Sequence, residues 1–541
     1  MRWNRKARVV IALATASSVV GGVAFAGGEG GQWRTAGGNR ENTRFQQSEH
    51  KLSVDTVDEL EVKWSFTTGG DVSATPAVDG DTVYFPDWSG NLYAVDKRTG
   101  EQRWQASIPA ATGVALDKAR ATPAVTEDKV IIGTQGSILV PGIGGPGGNV
   151  LAFDKFTGEL LWKTVADPHP ASIITQSATV FDGRVYVGVA SQEEALAGFV
   201  PGYPCCSFRG SMLALDVDTG EILWQTYLAP PPTDPTDPTN SYSGNAVWGS
   251  SPAIDVKRGQ LYIATGNNYN VPHSVLDCVA AAGDDPVAQE ACIAPDNHFD
   301  SIMALDLVSG AIRWVTRAIP FDAWTTSCFP FIGDGSNCPE PAGPDYDFGQ
   351  APALFTVKAA RGRPRDLVGA GQKSGQYWAL DPGTGDVVWV TEAGPGGTGG
   401  GLQWGSAVDG TRVYTANANS LGVAWTLPDG TTTHTGVWSA LNAATGQVIW
   451  QRSSPHPSNG IFGDTSGPPT TANGVVFACS LEPQGHMYAL NAATGAVLWS
   501  FASGGSCLSG AAISNGMLYW GSGYSNFGAG TPNNKLFAFG L

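Results

Sequence analysis

The chain has 541 residues, among them 71 Gly, 35 Pro and 18 Trp, and only 15% of it is charged, against roughly a quarter in ordinary globular domains. That composition excludes a coiled coil and a charged disordered tail, while the 42% of hydrophobic residues can fill the core of one large repeat architecture. A net charge of -17, from 31 basic and 48 acidic residues, disfavours nucleic acid and anionic membrane surfaces as partners.

The first predicted element is a leader. Arg2, Arg5, Lys6 and Arg8 precede an uncharged apolar stretch from Val9 to Val23 and then Ala24-Phe25-Ala26, the form of a secretory signal peptide cleaved after Ala26, with an uncleaved N-terminal anchor as the alternative. No later stretch reaches the roughly 18 apolar residues of a membrane helix. The expectation is therefore a signal peptide over 1–26 and a single domain over 27–541, periplasmic or secreted. An oxidising compartment favours disulfides among the eight cysteines. Closeness in sequence suggests Cys278 with Cys292, Cys328 with Cys338 and Cys479 with Cys507, which leaves Cys205 beside Cys206, although eight cysteines allow about 105 pairings.

A repeat follows. Leu60-Glu61-Val62-Lys63-Trp64 is the outgoing half of a motif that first appears complete as L-Y-A-V-D-K-R-T-G-E-Q-R-W, ending at Trp104. Further copies end at Trp162, Trp224, Trp314, Trp389, Trp450 and Trp499, and Lys535-Leu536-Phe537-Ala538-Phe539 is an incoming half without an exit. Each complete copy reads as a hairpin: alternation into an Asp or Asn, a turn closed by Thr-Gly or Ser-Gly, and alternation out to the tryptophan. The turn glycine supplies a positive φ. Upstream pairs such as Thr75 to Phe85 and Ser177 to Val187 bring each repeat to about four strands, the size of a propeller blade. The predicted fold is all-β, an eight-bladed β-propeller of four-stranded antiparallel blades, closed by pairing the N-terminal strand with the C-terminal ones. The repeated tryptophans are expected to pack between blades.

The interval from Trp224 to Trp314 is more than twice that from Trp64 to Trp104, so the surplus is insertion, which in repeat folds tends to gather on the binding face. The insertions carry the run Pro230 to Thr239, the segment Cys278 to Cys292 and the segment Cys328 to Cys338. Chemistry-bearing segments occur in the order Val187-Gly188-Val189-Ala190-Ser191-Gln192-Glu193-Glu194, Cys205-Cys206-Ser207-Phe208-Arg209-Gly210, Val247-Trp248-Gly249, Thr265-Gly266-Asn267, Pro320-Phe321-Asp322-Ala323-Trp324-Thr325, Gly371-Gln372-Lys373-Ser374-Gly375 and Gly401-Leu402-Gln403-Trp404-Gly405. Ser-His-Asp nucleophilic catalysis has no local signature among them.

On the adjacent cysteines and the V-W-G, T-G-N and G-Q-K-S-G segments in this order, the chain resembles the pyrroloquinoline-quinone (PQQ)-dependent alcohol dehydrogenases, most closely their polyvinyl-alcohol dehydrogenase branch, from about Trp33 to the C-terminus. The resemblance implies a planar tricarboxylated quinone on the propeller axis with a calcium ion at its edge. It places Cys205 and Cys206, joined as a disulfide, over the quinone and Trp248 beneath it, where an indole face suits a flat aromatic cofactor. Glu193 and Asn267 fall at the calcium-ligand positions, oxygen donors that suit a hard cation, with Glu194 an equally placed rival. Lys373 is the implied cation beside the quinone carbonyls, where it would stabilise developing negative charge. Arg209 is a candidate for a cofactor carboxylate, and Trp404 for a wall of the site or for packing.

The sequence departs from the family at the base. Methanol-type members carry P-H-D-E-W-D and use its last Asp, whereas Thr325 stands there in this chain, and a neutral hydroxyl cannot act as general base. Asp322 is taken as the base, with Glu193 or Glu194 as alternatives. The expected reaction is oxidation of secondary alcohols, polyvinyl alcohol or related compounds, to ketones by hydride transfer to the quinone. With no C-x-x-C-H for a c-type haem, electrons are expected to pass to a separate cytochrome c or to an artificial or small-molecule acceptor. The competing readings are a non-catalytic exported propeller that binds protein or polymer, and a sugar or aldehyde dehydrogenase on the same cofactor.

Overall fold

The computed structural model describes residues 31–136, 147–234, 236–237, 239–358, 362–458 and 463–541; the expected leader lies outside them. Eight four-stranded antiparallel blades follow one another, the third extended by the short strand Ser172–Ile173 paired to the end of Arg184–Ser191. In chain order their inner strands are Ala77–Asp79, Ala124–Val125, Thr179–Phe181, Ala253–Asp255, Ala353–Lys358, Ala407–Val408, Thr470–Ala472 and Ala512–Ser514. The expected closure is present: Lys535–Gly540 pairs on one side with Met517–Ser522 and on the other with Glu61–Thr67, which brings the N-terminus in as the outer strand of the eighth blade. The middle strands are buried on both faces and read as continuous apolar runs, such as Leu151-Ala152-Phe153, whereas an outer strand such as Gln102–Ser107 alternates between buried and exposed. A strand covered on both sides needs apolar residues at every position, and one covered on a single side at every second.

The repeat motif joins blade to blade. Each of the eight tryptophans donates its indole N–H to a backbone carbonyl of the next blade: Trp64 to Lys97, Trp104 to Lys155, Trp162 to Val217, Trp224 to Leu307, Trp314 to Pro382, Trp389 to Ala443, Trp450 to Ala492, and Trp499 to Leu60 across the closure. The turn glycine of the receiving blade lies under the ring. A Cβ on Gly385, at φ +78°, would stand 2.6 Å from Trp314. The glycine thus meets two demands, a left-handed backbone and a close approach. The opening Asp or Asn of each turn caps it, as Asp216 does by accepting the N–H groups of Asp218 and Thr219.

Antiparallel strands alternate in direction, so loops between second and third strands leave the ring on the same face as the connections between blades. The large insertions take these routes. Residues 192–210 interrupt the third blade and 265–300 the fourth, and 318–352 links the fourth blade to the fifth. Below them, residues 33–46 close the axis. Backbone bonds join this segment to the inner strands of six blades, at Val78, Val125, Ile254, Leu354, Val408 and Thr471, and the Gln46 side chain reaches Ile513 in the eighth. The segment supplies partners to polar groups that would otherwise face an empty channel. The disulfides are Cys205–Cys206, Cys278–Cys292, Cys328–Cys338 and Cys479–Cys507, the pairing expected from sequence proximity.

Candidate functional site

Trp248 occupies the turn that leads into the inner strand of the fourth blade. Its indole N–H donates to Asp347 Oδ2 at 2.8 Å, and the other oxygen of Asp347 accepts the backbone N–H of Asn267 at 2.8 Å. Lys373, which follows the second strand of the fifth blade, places Nζ 2.7 Å from Asp345 Oδ1, 3.5 Å from Asp347 Oδ2 and 5.6 Å from the centre of the Trp248 ring. Burial opposes charge on this lysine, but Asp345, Asp347 and Glu194 outweigh it and hold the ammonium protonated, above its ordinary range. Trp404 meets Trp248 edge to face at 5.3 Å, with its own backbone at φ +64°, a costly conformation for a bulky residue and one that persists where surrounding structure enforces it.

Asp322 is fully buried. Its carboxylate accepts the N–H of Asp345 at 3.1 Å and of Tyr346 at 2.7 Å, so it fixes the segment that carries Asp345 and Asp347. Burial pushes its carboxyl up to about 6, against the pull of the Tyr346 N–H. Behind it lies Asp300, also fully buried, whose two oxygens receive no hydrogen bond from a protein donor. Burial, reinforced by the Asp322 charge, raises the Asp300 carboxyl well above the usual range. Thr325, at the position where the resemblance implies a base, is itself buried and donates its hydroxyl to the Asn337 carbonyl at 3.0 Å.

The two adjacent glutamates separate in space. Glu193 is buried, and its carboxylate accepts the N–H groups of Ser207 at 2.9 Å and Phe208 at 2.7 Å and the Tyr203 hydroxyl at 3.2 Å. It therefore anchors the loop that carries Cys205 and Cys206. Glu194 is half-buried; desolvation, with the charges of Asp347 and Asp322, raises its carboxyl to about 7 although Lys373 pulls it down. Cys206 is fully buried in an apolar cluster against which Cys205 and Trp248 also pack. The structure thus brings the cysteine pair, Trp248, Lys373, Asn267, Trp404 and Asp322 to one end of the axis.

Arg209 is placed differently. It donates from Nε and Nη2 to the Ala229 carbonyl, at 3.0 and 2.7 Å, with its guanidinium 4.4 Å from the Tyr227 ring centre. Two other arginines line the axial cavity with Trp404, Thr75, Thr175 and Ser177. Arg44, from the closing segment, donates to the Pro469 and Ala36 carbonyls and to Thr75 Oγ1, and burial lowers its pKa to about 9. Arg120 lies 5.0 Å from the Trp404 ring centre and leaves Nε buried without an acceptor. Neither has a carboxylate partner among the described ion pairs.

Among the buried atoms without a protein partner in the described residues, two suit a bound cofactor and cation. Arg120 Nε is one, and Asn267 Oδ1 is the other: Asn267 Nδ2 donates to the carbonyls of Asn268 and Trp324, both at 2.9 Å, while Oδ1 receives nothing. A buried polar atom without a partner costs roughly 1–3 kcal/mol. A tricarboxylated anion suits the arginines, and a hard cation suits the amide oxygen. Among the described residues no three His, Cys, Asp or Glu side chains converge as a self-sufficient metal site, so a cation here would draw ligands from an amide, one carboxylate and a bound cofactor.

Sequence reasoning missed Asp345, Asp347, Arg44 and Arg120. The P-D-Y-D run at 344–347 was the available signal for the two acids.

The PQQ_2 family model, described as outer membrane protein assembly factor BamB, matches residues 36–143, 64–316 and 373–522. The chain is 30% identical to the polyvinylalcohol dehydrogenase of Sphingopyxis sp. (strain 113P3), over 95% of its own length and 77% of the relative's. It is likewise 30% identical to the polyvinylalcohol dehydrogenase of Pseudomonas sp., over 94% and 77%. The solved quinohemoprotein alcohol dehydrogenase ADHIIG of Pseudomonas putida HK5 superposes with a TM-score of 0.68 over 95% of this chain and 80% of that one, at 19% identity, a likeness of fold.

Proposed function

Because the chain belongs to the quinoprotein alcohol dehydrogenase family, in its polyvinyl-alcohol dehydrogenase branch, and is an oxidoreductase rather than an inert scaffold, we propose that it oxidises secondary alcohols, polymeric or small, to ketones in the periplasm or outside the cell. PQQ supplies the hydride acceptor when bound, and a calcium ion supplies a Lewis acid that polarises it. The observation that carries this reading is the pair of buried atoms without a partner, Arg120 Nε beside Trp404 and Asn267 Oδ1 beside the Asp347 that holds Trp248, in a site with the buried ammonium of Lys373.

In this reading Trp248 gives the cofactor a flat apolar floor and the Cys205–Cys206 pair covers it. Arg120 and Arg44 take its carboxylates, with Arg209 behind the cysteine loop. Asn267 Oδ1 is one metal ligand. The carboxylate ligand expected at Glu193 is assigned to its neighbour Glu194, because Glu193 is already used by three donors. Lys373, kept charged by its aspartates, stabilises negative charge that develops beside it. Asp322 accepts the alcohol proton: its raised carboxyl is still ionised at neutral pH and basic enough to hold a proton. Electrons leave through a separate cytochrome c or a small-molecule acceptor.

The test is a binding titration, with quenching of tryptophan fluorescence by added PQQ as the readout. Native protein should saturate, and Trp248→Ala and Arg120→Ala should each lose tenfold or more in affinity, the scale of one lost stacking or charge-assisted contact. Equal affinity in all three proteins would refute the axial site.

A further inference from the structure

We propose that the loop 326–338, together with the end of the helix Glu193–Phe199, forms an aromatic subsite for an extended hydroxylated hydrocarbon chain lying outward from the alcohol being oxidised. The proposal rests on the alcohol-oxidation reading above and adds to it the part of the substrate beyond the reacting carbon.

A row of rings leads out of the site. Trp324 meets Phe329 edge to face at 5.0 Å, and Phe329 stacks on Phe331 at 5.4 Å with 22° between planes. Exposure rises along the row from 7% at Trp324 to 76% at Phe331, and Phe199 nearby is 56% exposed. The inner end belongs to the site itself, since the Trp324 carbonyl accepts from Asn267 Nδ2 and its N–H donates to the Asn268 carbonyl. The row is continuous with the centre of chemistry.

The outer end is held rigid. Cys328 is joined to Cys338, Thr326 Oγ1 donates to the Glu194 carbonyl at 2.9 Å, and Asn337 Nδ2 donates to the Ala197 and Tyr203 carbonyls at 3.0 and 3.1 Å. Gly198 permits the contact, because a Cβ there would stand 2.5 Å from Thr326 Oγ1 and 2.9 Å from Ile332 Cγ2. Loop and helix thus present Phe331, Phe329 and Phe199 as a preformed surface, which lowers the entropy cost of binding.

Its chemistry selects the occupant. Asp334 is the only titratable side chain in 326–338 outside the disulfide, a poor match for a partner docked by charge but a good one for a neutral chain. A hydrocarbon backbone with hydroxyls at intervals can lay CH and CH₂ groups on ring faces while its hydroxyls stay in water.

The experiment compares cofactor-loaded native protein with Phe331→Ser, Phe199→Ser and the conservative Phe331→Tyr. Dye-linked kcat and KM are measured on poly(vinyl alcohol) and on 2,4-pentanediol, alongside retention on immobilised poly(vinyl alcohol). Both serine variants should raise KM for the polymer roughly three- to tenfold more than for the diol, as loss of one ring contact implies. They should also shorten retention, and Phe331→Tyr should restore both. Equal changes on the two substrates, or unchanged polymer KM and retention, would overturn the subsite. So would an effect confined to oligomeric state or to the rate with a protein acceptor, which would give the surface to a protein. Failure of every protein to oxidise either alcohol, with polymer retention still dependent on Phe331, would sink the oxidation reading and leave the subsite standing.

Discussion

Glu193 anchors the cysteine loop, and the proposed function gives the metal to its neighbour Glu194. Glu193→Gln removes a buried charge that accepts two backbone N–H groups, and should lower stability by roughly 1.5–3 kcal/mol, read from denaturant midpoints. Glu194→Gln should leave the midpoint near native and raise the calcium concentration needed for half-maximal activity. The reverse pattern would return the metal to Glu193. With Asp322 as the proposed base, proton acceptance requires its ionised form, so turnover should fall as pH drops through about 6, and Asp322→Asn should lose turnover while still retaining quinone. Retained turnover in that variant would move the base elsewhere. The sequence showed the acidic pair but not which member faces the axis, because successive residues of a helix point about 100° apart and only the packed helix decides which one looks inward. Arg44 and Arg120 were illegible for a similar reason, since nothing local marks an arginine whose ion partner is missing.

At the scale of the element, the unit of construction is a tryptophan of one blade docked on the turn of the next. Gly385→Ala should cost roughly 2–4 kcal/mol, from a non-glycine residue at positive φ and from overpacking against Trp314. An alanine variant as stable as native would mean that the ring does not hold the junction. The period of this unit was plain in the sequence, and so were the eight blades, because each copy repeats its turn, its apolar alternation and its tryptophan. What the repeat could not show was the second reason for the turn glycine, which lies in the neighbouring blade. Asp345 and Asp347 escaped notice on similar grounds: they occupy a connection outside the repeat and acquire meaning only when the fold sets them against Lys373 and Trp248.

For the whole molecule, ring closure, the axial segment 33–46 and the insertions build one site open toward a single face. The two orphan half-motifs at the ends foretold closure, whereas the axial segment left no trace in the pattern, since its hydrogen bonds come mostly from the backbone and carry no residue code. The architecture gathers two arginines without a carboxylate partner, an amide oxygen without a donor and an indole face at one end of the axis. The most direct measurement is dye-linked oxidation of poly(vinyl alcohol) and simple secondary alcohols by purified protein, with and without added PQQ and calcium. Activity that requires both additions is the predicted result. No oxidation of any alcohol with both present, and no quinone retained after gel filtration, would contradict the account.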